Sequence, residues 1–471
     1  ESSINQMLRK VDPYTMYIPK SEDDELRRMT QGKYGGVGAL IMYRDSNVYV
    51  NELYEGMPAH LAGLLPGDRF VTVDGMDCTG KNTKEVSDRL RGKPGTTISI
   101  TMERDSQLIT KEVTRRDIHL PAVSYSAVYQ DSIAYIAFSE FTQNSAQELL
   151  IALDQMVQTN KVTRLILDLR GNGGGFLDQA VEIVNEFLPE GQLIVYTEDR
   201  FGEQIKEYSR GNGNSTDVEI AILVDETSAS SSEILAGAVQ DNDRGLVIGR
   251  RTFGKGLVQA QIPFNDGSAM RLTVARYYTP TGRSIQKPYV NGDEKAYQMD
   301  LINRINHHEL FSADSIHFDD SMKFTTPAGR TVYGGGGIMP DIFIPIDTMS
   351  TSDYYNKVWD GNVLYRYTME FTDRHRKAID NITSLQQLDA LLSGENLVED
   401  FVKYAERNGV ERDDVGLAMS RDIIEAQLRA YIGRNALHDD AGFYYNIYPI
   451  DKTLQRAVKE LRANLRKSNK K

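Results

Sequence analysis

The sequence is poor in cysteine and histidine, and the few present are not spaced for disulfides or metal binding. Cys78 is the single cysteine in 471 residues, which excludes an internal disulfide and the paired thiolates of most zinc sites. The seven histidines show no ligand spacing, and His307 and His308 are simply adjacent in a polar segment. These absences argue against metal catalysis, and we expect no cofactor.

The sequence also lacks a long apolar run and an excess of positive charge. No stretch of about 18 apolar residues occurs, so no membrane-spanning helix is predicted. The net charge of −13 makes a nucleic-acid partner a poor match. The chain opens at Glu1 without a basic-then-apolar leader, so we expect a cytoplasmic protein or one whose leader or anchor has been removed.

A serine cluster stands where a strand-like run meets a helix-like run. Residues 220–224 favour a strand, residues 233–239 favour a helix, and the cluster at 228–233 joins them. A serine at such a junction is exposed and faces the positive end of the helix dipole. The simpler alternative is a helix N-cap, a common role for serine.

A lysine between two glycines follows in the run Thr-Phe-Gly-Lys-Gly-Leu-Val-Gln, residues 252–259. A serine needs a base to become a nucleophile, and a lysine made neutral by burial can be that base. Alone, a Gly-Lys-Gly run is usually an ordinary loop. Together, the serine cluster and Lys255 indicate a hydrolase with a Ser-Lys pair.

A third signal is the glycine-rich run at residues 168–175, between a buried strand and a helix. A loop of this kind can bind phosphate, but this one lacks the Gly-Lys-Ser/Thr of a P-loop and the glycine spacing of a dinucleotide site. We interpret Asp168 and Arg170 as residues that brace the loop, not as an acid or a base.

The serine and lysine stretches together resemble the active-site block of the C-terminal processing peptidases, also called tail-specific proteases. The shared features are Ser-Ala-Ser-Ser-Ser-Glu-Ile, an Asp-Asn-Asp-Arg-Gly turn, a strand and the lysine run. The resemblance implies that Ser230 is the nucleophile, Lys255 the base and Gln259 the residue that orients the lysine. Ser231 stands where the family often has alanine, so the choice among three adjacent serines depends on the resemblance.

The glycine-rich run also resembles this family, in the form Asp-Leu-Arg-Gly-Asn-Gly-Gly-Gly. The resemblance implies an oxyanion hole made by the backbone N–H groups of Gly175 and Ser231. Such donors are worth roughly 3–4 kcal/mol each in transition-state stabilisation. Gly174 fits nearly as well as Gly175, because loop length shifts the alignment by one.

Residues 34–104 resemble a PDZ domain of the circularly permuted type found in bacterial proteases. Short alternating strands surround a helix predicted at Thr83–Leu90. The carboxylate-binding loop would contain Gly35, Gly36, Val37 and Gly38. Glycines let consecutive N–H groups converge on an anion, and an edge strand beside them can add a peptide. The alternative is a glycine-rich hairpin without a function.

The rest of the chain divides by composition. We expect an N-terminal helical segment at 1–33, with a second helix at 22–29, and a protease core at 105–347 that contains a polar insertion, 287–335. The insertion could be a lid, a dimer contact or surface decoration. Residues 105–122 are predicted to be a charged connector.

A C-terminal helical domain is predicted at 348–471, in which Gly409 and Gly433 would be C-cap glycines. Its helices would be structural or would mediate homo-oligomerisation.

The predicted fold is α/β: a crotonase-like protease core with a parallel sheet and crossover helices, an inserted PDZ domain and helical ends. The resemblance implies a serine endopeptidase that cleaves proteins or peptides near their C-termini, in the periplasm or cell envelope. Two alternatives are an inactive PDZ scaffold and a crotonase-type acyl-transfer enzyme. The retained Ser, Lys and Gln argue against the first, and nothing in the sequence requires the nucleotide site of the second.

Overall fold

The structure, a computed structural model, describes residues 2–20, 33–44, 46–54, 56–104, 106–119, 121–129, 132–348, 350–437 and 440–468. It divides into two compact units. The first comprises residues 1–32, 121–346 and 452–471, and the second comprises 33–120 and 347–451. The second helix predicted near the N-terminus, 22–29, lies outside the described residues.

The first unit is built on a six-stranded central sheet. In spatial order its strands are Val123–Tyr129, Ile133–Phe138, Arg164–Asp168, Glu219–Val224, Gly245–Gly249 and Ile342–Phe343. The first pair is antiparallel and the remaining pairs are parallel. Three strands are buried along nearly their whole length, which explains why their sequences are continuous apolar runs and do not alternate.

The parallel strands bring the three sequence motifs to one edge of the central sheet. The glycine-rich run follows Arg164–Asp168, the serine cluster follows Glu219–Val224, and the lysine run follows Gly245–Gly249. Because parallel strands end on the same side, the loops that leave their carboxyl ends are neighbours. The helices that cross between strands are Ser145–Asn160, Leu177–Asn185 and Ser231–Asp241.

An antiparallel sheet completes the first unit. Its strands are Met16–Ile18, Leu193–Asp199, Gln204–Tyr208, Leu257–Pro263 and Ala269–Tyr278. The last two form a hairpin around residues 265–268. The N-terminal helix Ser2–Leu8 precedes Met16–Ile18, which pairs with Ala269–Tyr278 and so draws the N-terminal segment onto this sheet.

The insertion and the end of the chain also belong to the first unit. The insertion forms helices Glu294–Gln298 and Asp300–Asn306, 3₁₀ turns Ala313–Ser315 and Asp320–Met322, and a hairpin of Lys323–Thr325 with Thr331–Tyr333. The last helix, Lys452–Ser468, packs on central-sheet strands. Its buried residues are Leu454, Ala457, Val458 and Leu461.

The second unit contains the predicted PDZ domain. Its strands are Lys33–Gly36, Ala39–Arg44, Asn47–Leu53, Arg69–Val73, Met76–Asp77, Thr97–Arg104, Gln107–Thr114 and Arg116–His119, with helices Pro58–Leu61 and Thr83–Leu90. The expectation of a connector at 105–122 was wrong. Residues 107–114 pair along their full length with Thr97–Arg104, and residues 116–119 pair with Lys33–Gly36. Cys78 is a free thiol buried in the core of this domain.

Helices form the rest of the second unit, as predicted. They are Asp353–Asp360, Val363–Arg374, Arg376–Ile379, Leu385–Ser393, Leu397–Arg407, Asp414–Leu437 and Ala441–Ile447. Gly409 ends a helix with φ +85°, as a C-terminal glycine should. The prediction for Gly433 was wrong. It lies inside a 24-residue helix, where a β-carbon would approach the Gly442 carbonyl oxygen to 2.8 Å, so glycine is needed for helix–helix contact.

Within the part of the chain that the structure describes, no helix has both the length and the apolar character that a membrane span requires. The same residues contain no cluster of three or more His, Cys, Asp or Glu side chains arranged to hold a metal ion.

Candidate active site

One cavity of about 940 Å³ at the carboxyl edge of the central sheet collects the residues predicted for catalysis. Gly174, Gly175, Ser230, Ser231, Lys255 and Gln259 all line it. The predicted carboxylate loop is in the other unit. There, Gly35 and Gly36 lie in the strand Lys33–Gly36, while Val37 and Gly38 follow it outside regular structure.

Ser230 occupies a strained turn directly before the helix Ser231–Asp241. Its backbone has φ +56° and ψ −117°, a conformation rare for any residue except glycine. Strain of this kind costs roughly 1–3 kcal/mol and concentrates at functional sites. The turn directs residue 230 towards the cavity. The sequence pattern alone could not show this direction.

The two serines that follow are committed to structural hydrogen bonds. Ser231 Oγ donates to the Gly175 carbonyl at 2.8 Å, and Ser232 Oγ donates to the Asn172 carbonyl at 2.9 Å. Both side chains are buried, whereas Ser230 is half-buried. These differences favour Ser230 among the three adjacent serines on physical grounds, independently of any resemblance.

Lys255 lies in an irregular loop that follows the strand Gly245–Gly249, and its amine is largely buried. Burial lowers the pKa of its ammonium to about 8, and the nearby Arg271 guanidinium acts in the same direction, while Glu233 opposes them. The Nζ atom lies 4.7 Å from the ring centroid of Tyr14. Among the described residues, no hydrogen bond joins Nζ to Ser230 Oγ.

Glu233 ties the serine turn to the lysine loop, a role that the sequence analysis missed. Its fully buried carboxylate accepts the N–H groups of Ser230 at 2.9 Å, Gly254 at 2.8 Å and Lys255 at 2.8 Å. Burial raises the pKa of this carboxyl group to about 7, against the effect of the hydrogen bonds. The capping-box spacing, Ser230 to Glu233, was the available signal.

Replacing Glu233 with glutamine is expected to loosen both halves of the site, because an amide has one acceptor oxygen where the carboxylate has two. We expect a loss of about 1–3 kcal/mol in the free energy of unfolding and a fall in turnover of roughly 100-fold, as for a small misplacement of catalytic groups. Urea unfolding and a peptidase assay measure the two effects. Unchanged turnover in a folded Glu233→Gln variant would contradict this role.

The glycine-rich loop lies against Ser230 at Gly174. Gly174 has φ +97°, and a β-carbon there would come within 2.6 Å of the Ser230 β-carbon. The Gly174 N–H is already used, since it donates to Asn172 Oδ1 at 2.9 Å. Within the described chain, the N–H groups of Gly175 and Ser231 have no such acceptor.

The residues expected to brace this loop do so. Arg170 Nε donates to Asp168 Oδ1 at 2.9 Å, and Tyr135 OH donates to Asp168 Oδ2 at 2.7 Å. Gln259 lines the cavity, but its Nε2 donates to the Leu257 carbonyl at 3.1 Å and not to a group on the lysine.

The N-terminal segment contributes an aromatic side chain, Tyr14, next to Lys255, which sequence reasoning did not place here. Asp12 Oδ1 accepts the N–H groups of Tyr14 at 2.7 Å and Thr15 at 2.8 Å, which fixes the turn. The Tyr14 ring covers the Lys255 ammonium, and its hydroxyl hydrogen-bonds to Tyr297 OH of the insertion. Burial raises the pKa of the Tyr14 phenol well above its ordinary value.

Comparison with known families agrees with this architecture. Residues 132–296 match the model of peptidase family S41, and residues 49–104 match a PDZ domain model. Residues 354–438 match a family of unknown function, DUF8443. The combination defines a serine peptidase that carries a PDZ domain.

Named relatives narrow the class. A carboxy-terminal-processing protease of Bartonella bacilliformis is 37% identical over 293 residues, which are 61% of this chain and 67% of that protein. A probable CtpA-like serine protease of Staphylococcus haemolyticus is 34% identical over 63% of this chain, and the chain spans only 59% of its length. A photosystem II D1 C-terminal processing protease structure aligns over 74% of this chain and 82% of its own, with 28% identity and a TM-score of 0.40. The chain belongs to peptidase family S41.

Proposed function

We propose that this serine peptidase cleaves proteins or peptides near their C-termini with a Ser230–Lys255 dyad, and that its PDZ domain recognises the substrate tail. The observation that carries the proposal is the cavity in which a strained serine, a lysine of lowered pKa and two unused N–H groups meet. Unrelated loops come together there because the parallel strands end at one edge.

The proposed reaction proceeds by covalent catalysis. Neutral Lys255 Nζ takes the proton of Ser230 as Oγ attacks the scissile carbonyl carbon, and the carbonyl oxygen becomes an oxyanion bound by the N–H groups of Gly175 and Ser231. The lysine ammonium then gives its proton to the leaving amine, and the peptide bond breaks. Water, deprotonated by the same lysine, then attacks the acyl carbon, the bond from that carbon to Ser230 Oγ breaks, and the lysine ammonium returns the proton to Oγ.

Before this step, Lys255 Nζ must leave the face of Tyr14 and reach Ser230 Oγ. Catalytic hydrogen bonds are often long or unformed without substrate and tighten in the substrate complex. Gln259 Oε1 would then accept a hydrogen bond from the amine without adding a negative charge, while Nε2 keeps its bond to the Leu257 carbonyl. A carboxylate in that place would stabilise the ammonium and oppose catalysis.

Tail recognition is proposed for the strand Ala39–Arg44 and the loop that precedes it. Among the described residues this strand has one partner in its sheet, so its other edge is open to a peptide, and Thr83–Leu90 packs nearby. The predicted carboxylate-binding residues are Gly35, Gly36, Val37 and Gly38. Burial of Val37 in the PDZ core anchors the end of that loop.

A test of tail recognition compares a substrate with a free apolar C-terminus and the same chain amidated there. Amidation removes the charge that the N–H groups would hold, without changing the scissile bond. We expect the free acid to be cut at least about tenfold faster, which corresponds to about 1.4 kcal/mol of binding. Equal rates would show that the enzyme does not recognise the tail carboxylate.

The broader expectations remain proposals of the same kind. We propose a crotonase-like fold for the core of the first unit and a location in the periplasm or cell envelope. Homo-oligomerisation through the terminal helices is retained as a proposal, although the apolar face of Lys452–Ser468 is already covered by the central sheet.

A further inference from the structure

The loop that carries Lys255, residues 251–256, has no regular secondary structure, yet three of its residues are buried. Buried N–H and C=O groups need hydrogen-bond partners, and an irregular loop cannot supply them itself. The origin of these partners therefore shows what holds the proposed base in place.

The N–H groups of this lysine loop are bonded by elements on several sides. Gly254 and Lys255 donate to Glu233, as described above. Thr252 N donates to the Ile338 carbonyl at 3.1 Å, just beyond the insertion. Gly256 N donates to Gln286 Oε1 at 2.8 Å, just before the insertion.

The insertion itself supplies donors to three of the carbonyl groups, while Tyr277, outside the insertion, donates to those of Lys255 and Gly256. Arg304 donates to two of them, from Nη2 to the Arg251 carbonyl at 2.6 Å and from Nη1 to the Thr252 carbonyl at 3.1 Å. Lys287 N donates to the Gly254 carbonyl at 2.9 Å. Arg304 is 3% exposed, so its hydrogen bonds to these carbonyls are buried. If the arginine were removed, water would not readily replace it as their donor.

Side chains of the insertion also enclose the lysine loop. Lys287 Nζ lies 3.9 Å from the ring centroid of Phe253 and 4.2 Å from that of Tyr297, and it donates to Asp300 Oδ2 at 3.1 Å. Tyr297 in turn bonds to the Tyr14 hydroxyl, and the Tyr14 ring covers Lys255.

We propose that residues 287–309 of the insertion are a positioning element for the general base, and that Arg304 is its principal positioning residue. The inference rests on the proposed function, because that function makes Lys255 the general base. The contacts between the insertion and the lysine loop are independent of that function. It assigns a role different from the lid, dimer contact or decoration that the polar composition suggested.

Loosening the loop would alter the surroundings of the lysine. The groups that face Lys255 are the Arg271 guanidinium, the Glu233 carboxylate and the phenols of Tyr14 and Tyr277, with Tyr297 behind Tyr14. Since burial is the main cause of the lowered lysine pKa, admitting water should move that pKa back towards its ordinary value.

The test uses the full chain with Arg304→Met, which removes every donor, and Arg304→Lys, which keeps a charge. Arg330→Met is the matched control: this arginine is also in the insertion but bonds to Asp243, Asp341 and the Gln240 carbonyl, away from the lysine loop. Competitive labelling with acetic anhydride, measured by mass spectrometry, gives the Lys255 pKa without requiring activity. Peptidase assays give kcat and KM, and circular dichroism gives the folded fraction.

For Arg304→Met we expect a rise of about one unit in the Lys255 pKa, which is a tenfold loss of neutral lysine at pH 7, and a roughly tenfold or larger fall in kcat with KM within about twofold. Arg304→Lys should give a Lys255 pKa and a kcat between those of the wild type and Arg304→Met. If Arg304→Met does not fold, the Arg304→Lys values test the inference in its place. Arg330→Met should keep the wild-type pKa and kcat per folded molecule.

A folded Arg304 variant with lowered thermal stability but wild-type Lys255 pKa and kcat would overturn the inference, because the arginine would then be only structural. If the wild type itself cleaves no peptide while the Lys255 pKa still rises in Arg304→Met, the proposed function fails and the positioning role stands.

Discussion

Replacing Ser230 with alanine is expected to lower peptide turnover by roughly 10⁴-fold or more, because nucleophile and base act as one unit and losing either removes nearly all of their joint effect. The substitution removes one oxygen from a half-buried side chain and leaves the surrounding packing unchanged. The folded state should therefore be retained. The measurement is cleavage of an unstructured protein, with the folded fraction followed by circular dichroism.

Ser232→Ala is the matched control for this prediction. It removes a hydroxyl two residues away, one whose bond to the Asn172 carbonyl is structural. We expect a stability loss of about 1 kcal/mol with turnover near that of the wild type. Substantial cleavage by purified Ser230→Ala would contradict the assignment and direct attention to the neighbouring serines.

Replacing Lys255 with arginine is expected to abolish turnover to a similar extent. Arginine fills comparable space but stays charged at any pH that the fold tolerates, so it cannot take the serine proton. Lys206→Arg, on the exposed part of the strand Gln204–Tyr208, is the control and should remain active. Turnover by Lys255→Arg near the wild-type level would mean that the lysine is not a base.

The same lysine predicts the direction of the pH dependence in the wild type. The base is active when neutral, and its pKa is lowered to about 8, so kcat/KM should rise about tenfold per pH unit below that value and level off above it. A rate that falls as pH rises from 6 to 8 would be inconsistent with a lysine base.

The sequence allowed the site to be predicted where each signal was local. The serine cluster, the glycine-rich run and the lysine run each follow an apolar strand, and the parallel sheet predicted for the core explains why they meet at one edge. Glu233 was missed because its role depends on a loop 21 residues away that it meets only in the folded chain. The Tyr14–Tyr297 contact joins residues 283 apart, and no local pattern encodes it.

The two errors in the fold have physical causes of the same kind. Residues 105–122 carry enough charge to suggest a connector, but within 107–114 only one residue is fully buried, so a strand with few apolar residues is sufficient. Gly433 was assigned to a helix end because glycine is common there. Its small size instead admits a neighbouring backbone, which only tertiary contact can show.

The most direct test of the dyad uses a peptide ester as the substrate. The reaction is quenched with acid before it is complete, and mass spectrometry locates the acyl group on the enzyme. We expect a peptide acyl group on Ser230 in the wild type, and none in Ser230→Ala under the same conditions. An acyl group on Ser231 or Ser232 would contradict the assignment of Ser230 as the nucleophile. Rapid cleavage with no acylated serine would contradict it too, provided that hydrolysis of the acyl-enzyme is the rate-limiting step.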